Sequence, residues 1–378
     1  MSTRIGWSFA GLLAVGLVTL GCDQEPIPEK GPELDQALAV AVDEYNARRV
    51  KRLIDAGANP NVEERTGWTP LFRIIERVDE SGGWETFMVL VDNGADVSHV
   101  AKTGMTPLKH AIGTHGPMAN QVVEVLLKKG AKLDTTYDEI GTILHYSANI
   151  GPPEVTQMLI DAGADVNARL NRPTHRQDQW TPLHAAAAYA RAEKVKALLE
   201  AGADPNALSR EGRTPIMETF EYAQPDEMVE TIVALADAKA DVSRVDPDGN
   251  TVLALALQKG LPEAQTVEVV KALVKAGADP NQRSNDQTPL DLALQSGPRR
   301  PIRPGVVIAL LDAGAKADAA QASAEIRTAI EALTAQHEAR KSGERWQGLS
   351  EEQKTQAETQ FEERVKALRE LLDRLAKA

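Results

Sequence analysis

The chain has 378 residues, more than one ordinary domain needs unless the fold grows by adding repeats. Hydrophobic residues make up 42% and aromatics only 4%, so the core must be aliphatic and alanine-rich, as in closely packed helices. A net charge of −13 argues against nucleic-acid or anionic-membrane binding, and a single cysteine, Cys22, excludes intrachain disulfides, cysteine-based zinc sites and CxxC chemistry.

In chain order, the first segment reads as a targeting sequence. Arg4 is the only charge among residues 1–21, and Ile5 to Gly21 is an uncharged run of 17. That is short for a membrane-spanning helix and fits a secretory apolar region. The run ends in Thr19-Leu20-Gly21-Cys22. These residues resemble the lipobox of bacterial lipoproteins, although Thr19 stands where Leu is usual. The resemblance implies cleavage before Cys22 and lipidation of its thiol. Attachment to the membrane is expected only through that lipid, since two or three acyl chains anchor stably. Removing residues 1–21 takes one Arg away, leaving 41 basic against 55 acidic residues, net −14. Asp23 resembles the inner-membrane retention signal of enterobacterial lipoproteins. Residues 23–33 hold three prolines and no apolar stripe, a semi-rigid tether of about 35 Å if extended.

From residue 34 a period of about 37 governs the chain. Helix-start signals stand at TPLF 69–72, TPLK 106–109, TILH 142–145, TPLH 181–184, TPIM 214–217, TVLA 251–254 and TPLD 288–291. Helix-end signals alternate with them: GANPN 57–61, GADVS 94–98, GAKLD 130–134, GADVN 163–167, GADPN 202–206, KADVS 239–243, GADPN 277–281 and GAKAD 314–318. Thr caps a helix, Pro suits its first position, and Gly past its end takes the left-handed conformation. A second helix follows each first one, as in VKALL at 195–199 and VIALL at 307–311.

These motifs resemble the ankyrin repeat over residues 34–320. The resemblance implies an all-α solenoid of about eight helix-turn-helix units with hairpin-like tips. It also gives His145 and His184 a structural role, bonding neighbouring backbone. It implies recognition of another protein, through the tips and the concave surface of the first helices. We expect four segments: signal peptide 1–21, lipidated Cys22 and tether 22–33, repeats 34–320, and a helical region 321–378.

Departures from the pattern carry information. Lys239 replaces the terminal Gly of the sixth unit, which places a side chain in a left-handed position and makes that unit a candidate weak joint. The distance from Thr to the terminal Gly is 21 residues in the fourth and fifth units and 24–26 in the others. The extra residues fall between the two helices, and most are drift in a solvated loop. One of them, PRRPIRP at 298–304, is a stiff basic loop. On the tip side, residues 168–180 gather Arg169, Arg172, His175 and Arg176, closed by Trp180. Trp68 occupies the same slot before an earlier Thr, and Arg210 projects from a later tip. Trp and Arg often dominate interface energy. These seven residues are therefore the expected partner-binding set, with Trp180 as the aromatic anchor and the alternative that each Trp only covers its neighbouring tip.

Beyond 322 the repeat signals stop. Ile326, Ile330, Leu333 and His337 space as one amphipathic helix, and Phe361, Val365, Leu368, Leu372 and Leu375 as a second. Between them Ser350 and Gln353 form a capping box. Basic and acidic residues number 10 and 11 over 322–378, so the faces are salt-bridged. A helical hairpin capping the last repeat is expected. The chain is read as a monomer, with a weak dimer through 322–378 as the alternative.

No HExxH, GxSxG, phosphate loop or dinucleotide turn occurs, and the seven histidines lack metal-ligand spacing. We expect no enzyme activity, no cofactor and no metal. The functional expectation is a membrane-tethered interaction module, a scaffold or accessory factor of the bacterial envelope facing the periplasm. The alternative is a periplasmic inhibitor or immunity protein that occludes a toxin or hydrolase.

Overall fold

A computed structural model of the protein describes residues 27–28, 31–114, 116–135, 141–171, 175–295 and 302–376. Cys22 and the apolar run before it lie outside these residues, as do Arg172, Arg299 and Arg300. The chain forms two compact bodies, Met1–Val122 and Val123–Ala378. Helices account for the elements of both, and no strand forms among the described residues. The tips of the second body carry two isolated bridges, Val245 with Thr251 and Ser284 with Gln287.

The first body holds α1 (Pro32–Asp43), α2 (Ala47–Asp55), α3 (Pro70–Ile75), α4 (Gly83–Asp92) and α5 (Pro107–Gly113). α6 (Ala119–Lys128) carries the division between the bodies. The second body continues with α7 (Ile143–Ile150), α8 (Pro153–Asp161), α9 (Pro182–Ala188), α10 (Ala192–Glu200), α11 (Pro215–Tyr222) and α12 (Pro225–Asp237). Next come α13 (Val252–Gln258), α14 (Glu263–Lys275), α15 (Pro289–Leu294) and α16 (Pro304–Asp312). Last are α17 (Ala319–Lys341), α18 (Glu344–Gln347) and α19 (Glu351–Leu375).

The packing rule is the same along each body. The first helix of a repeat packs on its second, on the first helix of the next repeat, or on both: α7 on α8 and α9, α9 on α10 and α11, α13 on α14 and α15. Second helices pack on second helices, as α10 on α12 and α12 on α14. Helices this short are marginal alone, so their stability comes from burial against neighbours. α10 shows the pattern. Val195 and Leu198, three residues apart on one face, are fully buried.

Both punctuation marks behave as their chemistry requires. Thr106, Thr181, Thr251 and Thr288 each accept a hydrogen bond from the backbone N–H three residues on. The glycines at 57, 94, 130, 163, 202, 277 and 314 all have φ between 83° and 105°. Lys239 takes the same left-handed turn, with φ 62°, as the sequence predicts.

A second tie between repeats was not visible in the motif count. The Asn that ends GADxN reaches the next repeat's turn. Asn61 donates to the Gly94 carbonyl at 2.9 Å and accepts from the Asp96 N–H at 2.7 Å. Asn167 does the same with Gly202 and Asp204, Asn206 with Lys239 and Asp241, and Asn281 with Gly314 and Lys316. One side-chain amide thus satisfies two orphaned backbone groups, one of which belongs to a helix end.

The C-terminal hairpin caps the last repeat. α17 packs on α15 and α19 packs on α16 and α17, burying Ala322, Ile326, Val365, Leu368, Leu371 and Leu375. Leu371 is more deeply buried than the expected Leu372. His337 stacks on Phe361 at 4.0 Å and meets Trp346 edge-on at 5.8 Å. The Ser350–Gln353 capping box is present. The buried residues of the two long helices face each other and the last repeat.

Two substitutions test this architecture by thermal or denaturant unfolding. Leu183 is fully buried on α9, so Leu183→Ala should cost about 2–5 kcal/mol. Lys239→Gly should stabilise the chain by about 1 kcal/mol, by relieving the left-handed side chain.

Candidate functional site

The expected contact residues divide between the two bodies. Trp68 belongs to the first, where it is half-buried, stacks on Phe72 at 5.5 Å and meets His110 edge-on at 5.0 Å. Burial of the His110 imidazole pushes its pKa down, against the opposing pull of Glu76. The remaining described candidates, Arg169, His175, Arg176, Trp180 and Arg210, lie in the second body.

Trp180 is not an exposed anchor. It is 1% exposed and sits against His184 at 6.1 Å and Tyr222 at 6.4 Å. Its backbone explains the inward turn. The Leu170 N–H donates to the Trp180 carbonyl at 2.8 Å, the Gln179 N–H donates to the Leu170 carbonyl, and Gln179 turns through φ 64°. The two ends of the insertion are therefore tied together, and the indole enters the core.

The arginines of this tip are also engaged. Arg176 donates to Glu221 at 2.9 Å, lies 3.4 Å from Glu211, and places its guanidinium 5.5 Å from the Tyr222 ring centroid. Its bond to Glu221 raises the Arg176 pKa and holds the Glu221 carboxyl below its usual range. Arg169 donates to the Leu208 carbonyl at 2.8 Å, and Arg210 pairs with buried Asp178 at 3.3 Å. His175 is exposed, and its Nδ1 accepts from the Gln177 N–H. The expected basic contact patch is thus corrected. Carboxylates pair with Arg176 and Arg210, and Arg169 bonds a backbone carbonyl, so these three side chains fasten tip to tip. The PRRPIRP loop is corrected likewise at its one described arginine. Arg303 donates to the Leu257 and Leu261 carbonyls and to Thr266 Oγ1, closing the end of α13.

His145 and His184 have the structural role expected. The Thr142 and Thr181 N–H groups donate to their Nδ1 atoms, so each Nε2 carries the proton. His145 Nε2 donates to the Trp180 carbonyl at 3.0 Å and His184 Nε2 to the Arg213 carbonyl at 3.2 Å. Burial, above all, lowers both pKa values to about 4, so both rings are neutral at pH 7.

A different set of side chains is presented to solvent. Ile150, Tyr189 and Tyr222 each stand eight residues after their repeat's Thr. Ile150 is 52% exposed and Tyr222 38%, while Tyr189 is half-buried. Tyr189 stacks on Tyr222 at 5.8 Å across the joint between the fifth and sixth repeats. The column continues with Lys259, whose ammonium donates to the Glu221 carbonyl at 3.2 Å. The signal was available in the sequence only by aligning repeats on Thr and reading down one column.

Beneath this column lie buried charges. Lys194 is 3% exposed, at a position where neighbouring repeats carry Val155, Thr231, Val269 and Val306. Its ammonium donates to the Ser147 and Ala148 carbonyls, at 2.8 and 3.2 Å, near the end of α7. Burial pushes its pKa down to about 8. Arg213 donates to Glu218 at 3.1 Å, to Asp246 at 3.2 Å and to the Met217 carbonyl at 3.0 Å. Among the described residues no group of three His, Cys, Asp or Glu side chains is placed to hold a metal ion.

A family model described as ankyrin repeats, in three copies, matches residues 38–137, 78–170, 119–209, 144–240 and 216–321. The chain is 30% identical over 142 residues to the ankyrin repeat, SAM and basic leucine zipper domain-containing protein 1 of Dasypus novemcinctus, covering 37% of this chain and 28% of that protein. It is 36% identical over 103 residues to the neurogenic locus Notch protein of Drosophila melanogaster, covering 24% of this chain and 4% of that protein. The chain therefore spans under a third of either relative's length. A crystal structure of the human ASB11 ankyrin repeat domain aligns with a TM-score of 0.47 at 26% identity, covering 66% of this chain and all of that one.

Burial moves Trp180 from the binding ledger to the folding one. Trp180→Ala should destabilise the chain by about 3–5 kcal/mol in denaturant unfolding, the range for a large buried ring. A loss below 1 kcal/mol would mean that the indole is not packed as described.

Proposed function

The chain belongs to the ankyrin-repeat family, and from that premise we propose a contact surface and a cellular setting for it. The protein is a protein-binding module. We place its contact surface on the column Ile150, Tyr189 and Tyr222, with Arg176 and His175 at the rim. The observation that carries this reading is the Tyr189–Tyr222 stack, in which Tyr222 is exposed and Tyr189 half-buried. Large side chains left in water across two repeats gain most from being covered, and tyrosine offers apolar area together with a hydroxyl for bonding. Arg169 and Arg210 support the surface by fixing the tips, and Trp180 supports it from below. Trp68, in the first body, is a separate candidate contact.

The setting is proposed from the sequence. The 17-residue apolar run ending in Gly21-Cys22, with no other cysteine, supports a bacterial lipoprotein held to a membrane by Cys22 and facing the periplasm. Asp23 favours the inner membrane. In that setting the module is a tethered scaffold or accessory factor for an envelope protein, without enzymatic activity. The Pro-rich tether supports this, because it would lift the repeats clear of the headgroups.

Two experiments test these parts separately. Cys22→Ala should leave uncut precursor, and labelled palmitate should enter only the wild-type chain; a soluble, unlabelled wild-type protein would remove the tether. For the surface, residues 23–378 are used to capture a partner, whose affinity for the Tyr189→Ala, Tyr222→Ala double variant is then measured. Affinity should fall at least about tenfold, the scale of a single interface hot spot, while the melting temperature stays within a few degrees. Undiminished affinity would place the contact elsewhere.

A further inference from the structure

The joint between the fifth and sixth repeats contains a charge arrangement that binding does not explain. Glu218 on α11 is fully buried. One of its oxygens accepts from Arg213 Nε at 3.1 Å, and the other, Oε2, has no hydrogen-bond partner. Arg213 serves a second buried carboxylate, Asp246, at 3.2 Å. Two buried carboxylates therefore share one guanidinium, and their surroundings differ. Asp246 also accepts from the Asp248 and Asn250 N–H groups and from the Asn250 amide. That shell suits an ion, so Asp246 carries the charge and Glu218 is the group that takes a proton.

The charges around Glu218 come from its own helix, the neighbouring tips, α9 and α13; on α12, which also packs on α11, Glu227 and Glu230 pair with Arg191 and Lys196. α11 itself supplies Glu221 and Tyr222. The preceding tip supplies Arg176, which bonds Glu221, and Asp178, which bonds Arg210. The tip at 207–213 supplies Glu211 and Arg213, and the following tip supplies Asp246. α13 supplies Lys259 on the Glu221 carbonyl, and α9 supplies neutral His184 on the Arg213 carbonyl. Burial is the largest influence and pushes Glu218 up to about 7, outweighing the opposing pull of Arg213 and Arg176.

We propose that Glu218 is a proton-operated catch on the joint between the fifth and sixth repeats, closed while its carboxyl is neutral and loosened when it ionises. The sign follows from linkage. The closed joint raises the Glu218 pKa above its ordinary value of 4.5, so proton binding favours the closed joint. That stabilisation is complete below pH 4.5 and is lost as pH rises through about 7. On ionisation the proton leaves to solvent, and the carboxylate gains by admitting water to its unbonded oxygen. Opening the joint separates α9 from α11, and with them Tyr189 from Tyr222. The consequence for partner binding rests on the surface proposed above. The catch itself does not, and it is measured on the free chain.

The test is hydrogen exchange on the full chain between pH 5.5 and 8.5, expressed as protection relative to the unstructured rate. The probes are the Asp178 and Trp180 N–H groups, both bonded within the tip, and the N–H groups of α11. Wild-type protection should fall by about tenfold across this range and level off above about 7; the ceiling across this range, for a Glu218 fully solvated on opening, is about 30-fold. Glu218→Gln, a neutral isostere of the closed form, should hold the low-pH level throughout. Carboxyl-carbon resonance titration of the wild-type chain needs no variant and should show one glutamate with a midpoint between about 6 and 8. Three results would overturn the catch: wild-type protection independent of pH, the same pH slope in Glu218→Gln, or every glutamate titrating below pH 5.5. Should Glu218→Gln fail to fold, the wild-type carboxyl titration decides.

Discussion

The governing constraint is that no repeat can bury its own faces. Most of the repeat helices have between six and ten residues, too few to persist in water without a neighbour. Burial such as that of Val195 and Leu198 supplies the energy but not the register, because apolar contact is non-directional. Register comes from polar side chains aimed at particular backbone groups. His145 and His184 reach carbonyls of the next tip, and Asn61, Asn167, Asn206 and Asn281 bracket the next turn. Each of these bonds joins positions about one repeat apart, so each fixes one joint.

The same economy explains why the long basic tip is not the exposed patch that its composition suggests. A charge beside a neighbour's carboxylate satisfies both groups at once, and successive tips lie within reach of one another. Arg176 meets Glu221 and Glu211, and Arg210 meets Asp178. Trp180 follows a related logic. An indole placed just before a helix start, on a loop closed by Leu170, lies nearer the core than the solvent. At the far end of the first helices Tyr222 stays exposed on one side, stacked on half-buried Tyr189.

Repeats four to six also hold the most irregular interior of the second body. In the other repeats of that body the buried column eight residues before the terminal turn is Val or Thr, but the fifth repeat has Lys194. The sixth has Glu218 sharing Arg213 with Asp246. A buried charge costs desolvation that hydrophobic packing of similar volume would avoid. Local departures of this kind concentrate where a protein gives up stability for another purpose. Here they lie in the same repeats as the stacked Tyr189–Tyr222 pair.

The amino-acid sequence by itself determined the repeat, its period, the helix starts and ends, the left-handed turn at Lys239 and the capping hairpin. These are local: Thr, Pro and Gly act through the backbone within a few residues, and a pattern recurring every 33 to 39 residues is visible without distances. Residue types at the candidate site were equally visible, but their roles were not. Whether Trp180 faces water and whether Arg176 is paired depend on side chains some 40 to 45 residues away, and whether Arg213 must serve a second carboxylate beside Glu218 depends on Asp246, 33 residues on. Only stacking one repeat on the next brings those groups together. Tertiary structure therefore decided which of the conspicuous residues fasten the repeats, and it brought two inconspicuous ones, Tyr189 and Tyr222, into one stack.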